Sequence, residues 1–393
     1  MKILVVTFSF GIGTTASGFS TSKIITELAK RGHEICIITG KSSDQDYGPN
    51  VVIHKCNPAP LSPARFFKFV GNIIGVELNY IFWEYRARKL GRVLIKNSMP
   101  DIIYGRSSPI AGLTVAEKFS NEFGIPFVAH FADPIPAPEE WVSNRFERKK
   151  LLNCVTPIIA RADLLSFVTK EMMTYQEFVM GTQIADKSFI SPNSISEIKN
   201  STPPPIGEET IFLFLGSFFG NRKPDMLLKG FDLYCRDYPN SIFYFYGVNQ
   251  SFVEKFILSD RVRDRLRFFP HTDKPFEALE KAHVLVDVDG LVKKQVFLSS
   301  KLLDYLSINR FILAITTNDS PSSQLIKQMP NSTILVSHDP VEIAQGMATL
   351  ALKAWDSTLF NERKTCAKGY YVSSVVDEIE VNFKSLLNIR KLR

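Results

Sequence analysis

The stretch FLSSKLLDYLSINRFILAI, Phe297 to Ile315, puts two charges where a helix is due to start. Ser299 or Ser300 is suited to cap a helix beginning near Lys301, Leu302, Leu303 and Leu306 supply its buried face, and Asn309 suits a left-handed closing residue. Lys301 and Asp304 then share the first turn. At i,i+3 spacing they can pair for about 0.2–0.5 kcal/mol, but a cation in a first turn opposes the helix dipole unless an anion lies beside it. A diphosphate at the helix start would offset that cost, and Asp304 one turn in would accept hydrogen bonds from a ribose diol.

Three further groups could do chemistry. In LGSFFGNRKPDMLLKGF an apolar run ends at Gly216, and Arg222 and Lys223 precede Pro224, which is expected at the first position of a helix; backbone N–H groups, dipole and two cations converge there on a phosphate-like anion. Solvated loop cations are the bland alternative. In IPFVAHFADP, His130 ends an apolar run and Asp133 follows it, so the two are expected at the carboxyl end of a central strand, placed to bond hydroxyls or orient a reacting group. In GIGTTASGF, Gly11 and Gly13 fit a dinucleotide loop, but Ala16 takes the third glycine position and no acidic residue ends the next strand, which argues against a dehydrogenase. Gly18, near a helix N-terminus, still permits close approach of backbone to a ligand.

The elements that must carry these groups alternate. KILVVTFSF, HEICIITG, VVIHKC, PDIIYG, IPFVAHF and ADLLSFVT are separated by helical patterns, and after a Ser/Pro/Glu-rich piece at 191–209 the alternation restarts with TIFLFLGSF, SIFYFYG, LRFFP, HVLVDVDG, FILAIT and STILVS. Continuous Val/Ile runs between helices predict parallel sheets covered on both faces. The fold class is therefore α/β, with two Rossmann-like doubly wound domains facing across a cleft and ligands beyond the carboxyl ends of the strands. The piece at 191–209 is the linker candidate.

Composition agrees. At 393 residues, two cores are expected; 45% hydrophobic and 22% charged residues suit a globular chain, and a net charge of +7 suits phosphates or a lipid surface. Five cysteines without CxxC spacing argue against a disulfide framework or zinc site. The apolar opening reads as a core strand rather than an export signal, and no apolar run is long enough to span a membrane; the expected location is cytoplasmic. The segment 65–92 interleaves Phe66, Phe67, Phe69, Tyr80, Phe82 and Trp83 with Arg65, Lys68, Arg86, Arg88, Lys89 and Arg92. Such a pattern fits peripheral contact with an anionic membrane, or an internal helix pair with a basic rim.

In their order and spacing these motifs resemble retaining glycosyltransferases of the GT-B fold, in particular the large family four of nucleotide-sugar enzymes that build bacterial surface polysaccharides. The resemblance runs over nearly the whole chain, from GFSTSKIITELAKRGHEICIITG through PDIIYGRSSP, HFADP and FISPNSI to LGSFFGNRKPDMLLKGF and SSKLLDYLSINRFILAI. It implies an acceptor-binding domain at 1–195, a donor-binding domain at 205–370, and a C-terminal helix at 371–393 that crosses back to the first. It further implies that Gly216, Arg222 and Lys223 meet the donor diphosphate, that Ser299, Ser300 and Lys301 form the phosphate-facing helix start, and that Asp304 holds the ribose. His130 lies near the transferred sugar, with Asp133, and Gly18 lies near donor and acceptor. The expected activity is transfer from a nucleotide diphosphate sugar to a glycan or lipid-linked acceptor, with retention, without metal or other cofactor and without a nucleic-acid partner. The chain departs from the family pattern at Val296, where the first motif glutamate would fall, at Asp304, shorter than the second, and at PNS in place of Asn-Gly. Two alternatives follow: a catalytically weak scaffold subunit of a polysaccharide assembly complex, and a nucleotide-sugar 2-epimerase.

Overall fold

The computed structural model describes the chain except for residues 58–69, 72, 76, 142–143, 196–201, 208, 258, 273 and 392–393. The apolar runs of the first half form β1 (Lys2–Val6), β2 (Glu34–Thr39), β3 (Val51–Lys55), β4 (Ile102–Arg106), β5 (Phe127–Phe131) and β6 (Leu164–Phe167). A further strand, β7 (Ser188–Ile190), is too short to leave a periodic signature and was not expected. All pair in parallel, in the order β3-β2-β1-β4-β5-β6-β7. Connections run outward on either side of β1, so the topological switch lies between β1 and β4. Covering helices are α1 (Ala16–Lys30), α2 (Ile81–Asn97), α3 (Ala111–Phe123), α4 (Arg145–Arg161) and α5 (Lys170–Met180). Side-chain caps start several of them: Thr15 on Gly18 N, Asn144 on Phe146 N and Thr169 on Met172 N.

The second half repeats the plan. Strands β8 (Thr210–Leu215), β9 (Ser241–Tyr246), β10 (Leu266–Phe269), β11 (Val284–Val288), β12 (Phe311–Ile315) and β13 (Thr333–Val336) make a parallel sheet ordered β10-β9-β8-β11-β12-β13. Among its helices are α6 (Asp225–Asp237), α7 (Ser300–Leu306) and α8 (Pro340–Ala351). Its core is aromatic: Phe243 stacks on Phe245 at 4.5 Å, and Phe245 on Phe268 at 5.4 Å.

The chain divides into one compact unit of Met1–Ser194 with Val372–Arg393, and a second of Ile195–Tyr371. The C-terminal helix α9 (Val372–Lys391) thus belongs to the first unit. Its Val375, Val376, Ile379, Phe383 and Leu386 join Ile24, Ile25 and Leu28 of α1 in one core. Arg31 bonds Asp377 (2.6 Å) and the Ser373 carbonyl (2.8 Å), and Arg390 bonds Asp163 (2.8 Å).

Local expectations fare unevenly. Part of the linker candidate, 196–201 and 208, lies outside the described residues. Its Pro-rich remainder is held rather than loose: the fully buried Arg310 donates to the carbonyls of Thr202 (2.7 Å) and Glu280 (2.7 Å). Burial lowers its pKa to about 10. Asn309 is not left-handed, because no described non-glycine residue has positive φ; its carbonyl instead accepts from Trp355 Nε1 at 3.1 Å, and the helix ends at Leu306 with Ser307 as its C-cap. Pro224 is the N-cap of α6, one residue before the expected first helical position.

The aromatic-basic segment 65–92 falls partly outside the described residues, including Arg65, Phe66, Phe67, Lys68 and Phe69. In α2 it is two-faced. Trp83, Ala87, Gly91 and Ile95 are buried at i, i+4, i+8 and i+12, with Gly91 giving room to the Phe119 ring of α3. Phe82, Tyr85 and Val93 lie opposite, exposed at 46%, 68% and 54%, beside exposed Arg86 and Lys89. No helix among the described residues is long and apolar enough to cross a membrane.

Because Phe383 is fully buried between α9, α1 and the sheet, Phe383→Ala should cost about 3–5 kcal/mol. Urea unfolding followed by near-UV circular dichroism checks this; a loss under 1 kcal/mol would mean α9 is not an integral part of the first unit's core.

Candidate functional site

In the second unit the switch point between β8 and β11 is held by a single hydroxyl. Tyr305 of α7 accepts from Leu215 N (3.0 Å) and donates to Val286 O (3.2 Å), so the helix is tied to the end of β8 and the middle of β11. Just beyond β8, Gly216 has φ +111° and donates to Tyr246 O at 2.8 Å. A Cβ there would stand 2.8 Å from Lys301 Cδ. Glycine is needed twice, for its backbone angle and for the room it leaves to the lysine stem.

Lys301 is half-buried, with its ammonium 5.2 Å from the centroid of the Phe214 ring. Burial, with repulsion from Arg222, lowers its pKa to about 8, although Asp287, Asp289 and Asp304 pull the other way. Ser299 caps α7 through Leu302 N (3.4 Å), as expected, and its hydroxyl donates to Asp287 at 2.8 Å; Ser300 is the exposed first residue of the helix. Asp304 is half-buried one turn in.

Arg222 lies over the Phe219 ring (5.3 Å) with Nη2 3.6 Å from Asp289 Oδ1. Its buried Nε meets no acceptor among the described residues. Asp289, 1% exposed at the end of β11, has Oδ2 2.8 Å from Thr316 Oγ1, and its carbonyl accepts from His338 Nε2 at 3.0 Å. Burial and the neighbouring Asp287 raise its carboxyl to about 6, against the pull of Arg222. Lys223 is exposed on the loop before α6. The structure thus brings Gly216, Arg222, Ser299, Lys301 and Asp304 to one switch point and adds Asp287, Asp289 and Tyr305, which sequence reasoning missed. The missed signal was two aspartates spaced by two inside the apolar run HVLVDVDG. Two half-dehydrated cations, one with an orphaned N–H, form a site suited to a polyanion.

Val296 is fully buried, so the position where a motif glutamate was sought is a core position here. Gln295 beside it is 5% exposed, and its Nε2 finds no acceptor among the described residues.

In the first unit, His130 and Asp133 do not share one environment. His130 is 1% exposed on β5, its Nδ1 3.0 Å from Ser166 Oγ on β6, while Nε2 meets no partner among the described residues. Burial and the Arg106 cation hold its pKa well below the usual value, so the ring is neutral. Arg106, also buried, donates to Thr21 Oγ1 (3.0 Å) and Tyr104 OH (2.5 Å). Asp133 lines a recess of about 350 Å³ beyond the ends of β4 and β5, which His130 does not line. Solvent reaches Asp133, yet enough protein crowds it to raise its carboxyl pKa. Gly18 lies inside α1 and lets the helix start pack on the backbone of Ser9 and Phe10, which a Cβ would meet at 3.1 and 3.2 Å.

No protein-family model matches the sequence, and no curated protein matches it closely enough to count as a relative. Solved structures do match along its whole length. Sucrose-phosphate synthase from Thermosynechococcus elongatus is 12% identical over 99% of both chains, with a TM-score of 0.73. HepE of Anabaena, solved in complex with UDP and glucose, is 14% identical over 98% of this chain and 100% of its own, with a TM-score of 0.70. A UDP-N-acetylglucosamine 2-epimerase is 12% identical over 100% of this chain and 97% of its own, with a TM-score of 0.59. The shared feature is the GT-B fold of two Rossmann-like domains, and this chain has it.

In the free protein the Lys301 amine should titrate near pH 8, far below an ordinary lysine. Carbon-13 NMR of labelled lysine, assigned with Lys301→Arg, reads the midpoint; a value near 10 would show that the site is open to bulk water.

Proposed function

We propose that this GT-B chain is a glycosyltransferase that takes a sugar from a nucleotide diphosphate donor bound at the second unit's switch point. The observation that carries the reading is the pair Arg222 and Lys301: both are partly dehydrated, Lys301 has a depressed pKa, and Arg222 has a buried N–H without an acceptor. A diphosphate would satisfy both, with exposed Lys223 as a third cation and the backbone of Gly216 closing on the phosphates. Asp304 receives the ribose diol. That HepE was solved with UDP and glucose supports this ligand class.

The chemistry follows from charge. As the bond from sugar C1 to the phosphate oxygen breaks, negative charge grows on the leaving diphosphate, and cations already fixed there stabilise it more than they stabilise the bound donor. The acceptor oxygen bonds C1 from the same face and its proton passes to the departing phosphate oxygen, which retains configuration. The acceptor is a glycan or lipid-linked saccharide of surface-polysaccharide synthesis. The aromatic-basic face of α2 rests on anionic lipid where such acceptors are found: Phe82, Tyr85 and Val93 enter the interface, and Arg86 and Lys89 meet the headgroups.

The first experiment is isothermal calorimetry with UDP, GDP, ADP and CMP in EDTA, followed by product analysis with the matching sugar nucleotides. One nucleotide should bind selectively, and Lys301→Met or Arg222→Ala should weaken it tenfold or more, about 1.4 kcal/mol. Anion binding favours charged Lys301, so wild-type affinity should fall as pH rises through about 8. In Lys301→Met the dependence should flatten. A sugar nucleotide returned as its epimer would instead make the chain an epimerase, a reading kept open by the fold shared with the 2-epimerase. Binding without any product would leave a scaffold subunit.

Vesicles rich in anionic lipid should sediment the protein at low salt and release it at high salt. The double variant Tyr85→Ser, Lys89→Glu should stay in the supernatant; sedimentation equal to wild type would remove α2 from the contact.

A further inference from the structure

We propose that the recess at the carboxyl ends of β4 and β5 is a saccharide subsite that selects a non-anionic sugar, neutral or amino-substituted, and rejects one carrying phosphate or carboxylate. The inference rests on the transferase reading above and names the chemistry of its acceptor. Its volume, about 350 Å³, lies at the lower end of the range for small-molecule sites. Asn79, Tyr80, Ser108, Asp133, Glu147 and Leu151 are among its lining residues, and no lysine or arginine lines it among the described residues.

Its lining carries three carboxylates, Glu77, Asp133 and Glu147, while its amide and hydroxyl groups can both donate and accept. Asn79 Oδ1 is buried and meets no donor among the described residues. Its backbone N–H donates to Glu77 Oε1 at 3.0 Å, and Glu77 is held by the buried Lys150 at 2.9 Å. The ion pair neutralises Glu77 and fixes Asn79, so the orphaned oxygen is anchored rather than incidental. An unsatisfied buried acceptor costs free energy that a ligand O–H or N–H recovers. Tyr80 is raised in pKa by burial and by Glu77, so it keeps its proton, and its ring is fixed edge-on to Phe8 at 4.8 Å.

Sugar hydroxyls and ammonium groups supply donors to such a surface. A phosphate or carboxylate would bring further acceptors and negative charge beside Asp133 and Glu147, with no lining cation to offset the repulsion. The first unit is thus selective in the opposite sense to the second, whose switch point gathers cations.

The test is ligand-observed saturation-transfer NMR on the full chain at neutral pH, with methyl α-glucopyranoside, methyl glucosaminide and glucose 6-phosphate as probes. UDP and GDP are titrated in parallel by calorimetry. The neutral and amino glycosides should bind, and glucose 6-phosphate should bind at least about fivefold more weakly, roughly 1 kcal/mol. Asn79→Ala should weaken the glycosides by a similar factor, and Ala137→Trp, which fills the recess from its lining, should abolish their binding. Both variants should keep wild-type nucleotide affinity, and an unchanged near-UV circular dichroism spectrum reports that the first unit is folded. Equal or tighter binding of the phosphate probe, glycoside binding untouched by Ala137→Trp, or no glycoside binding beside intact nucleotide binding would each overturn the assignment. Glycoside binding without nucleotide binding would overturn the transferase reading and leave the recess a sugar site.

Discussion

Four charged side chains share the dehydrated end of one sheet: Lys301 and Arg222 against Asp287 and Asp289. Buried charges are tolerable only when balanced and hydrogen-bonded, and here the balance is incomplete. Asp287 has Ser299 and Asp289 has Thr316, but Arg222 keeps an N–H without an acceptor and stands 3.6 Å from Asp289, beyond a good hydrogen bond. Much of the second unit serves to hold this unfinished arrangement. Tyr305 ties β8 to β11, Phe214 floors the lysine and Gly216 yields it space. A rigid site whose cation is left incompletely paired is preorganised to receive an anion.

The first unit uses the same strand order to a different electrostatic end. Its buried cation, Arg106, is closed in by Thr21 and the Tyr104 hydroxyl and acts inward, adding to the burial that keeps His130 neutral. The recess beyond the strands is lined by carboxylates and by no lysine or arginine among the described residues. Shared topology therefore does not imply shared ligand chemistry: the sheet supplies the location, and the residues just past each strand decide what binds there.

Both units also depend on chain segments distant from their sheets. Helix α9, separated from the rest of the first unit by the whole second unit, fills the groove over α1 with Val376, Ile379 and Phe383. The Pro-rich stretch 202–205 is anchored by buried Arg310 through the carbonyls of Thr202 and Pro203, the only groups such a stretch offers in abundance. Composition alone reads it as loose; the cost of burying an unpaired guanidinium makes it fixed.

The sequence by itself determined what local periodicity and capping determine. Continuous Val/Ile/Phe runs between helical patterns gave parallel doubly wound sheets, Ser299 announced the start of its helix, and Gly216 announced a backbone turn beyond a strand, because these signals act over a few residues. Tertiary structure alone decided the electrostatics. Asp287 and Asp289 were legible as letters but not as partners of Ser299 and Thr316, the depressed pKa of Lys301 comes from burial and from Arg222 far away in sequence, and His130 and Asp133, three residues apart, ended in a buried pocket and an open recess. Asn309 missed its expected left-handed turn because the buried Arg310 and Trp355 fixed the backbone first. Desolvation and pairing are properties of the assembled fold, and no spacing rule encodes them.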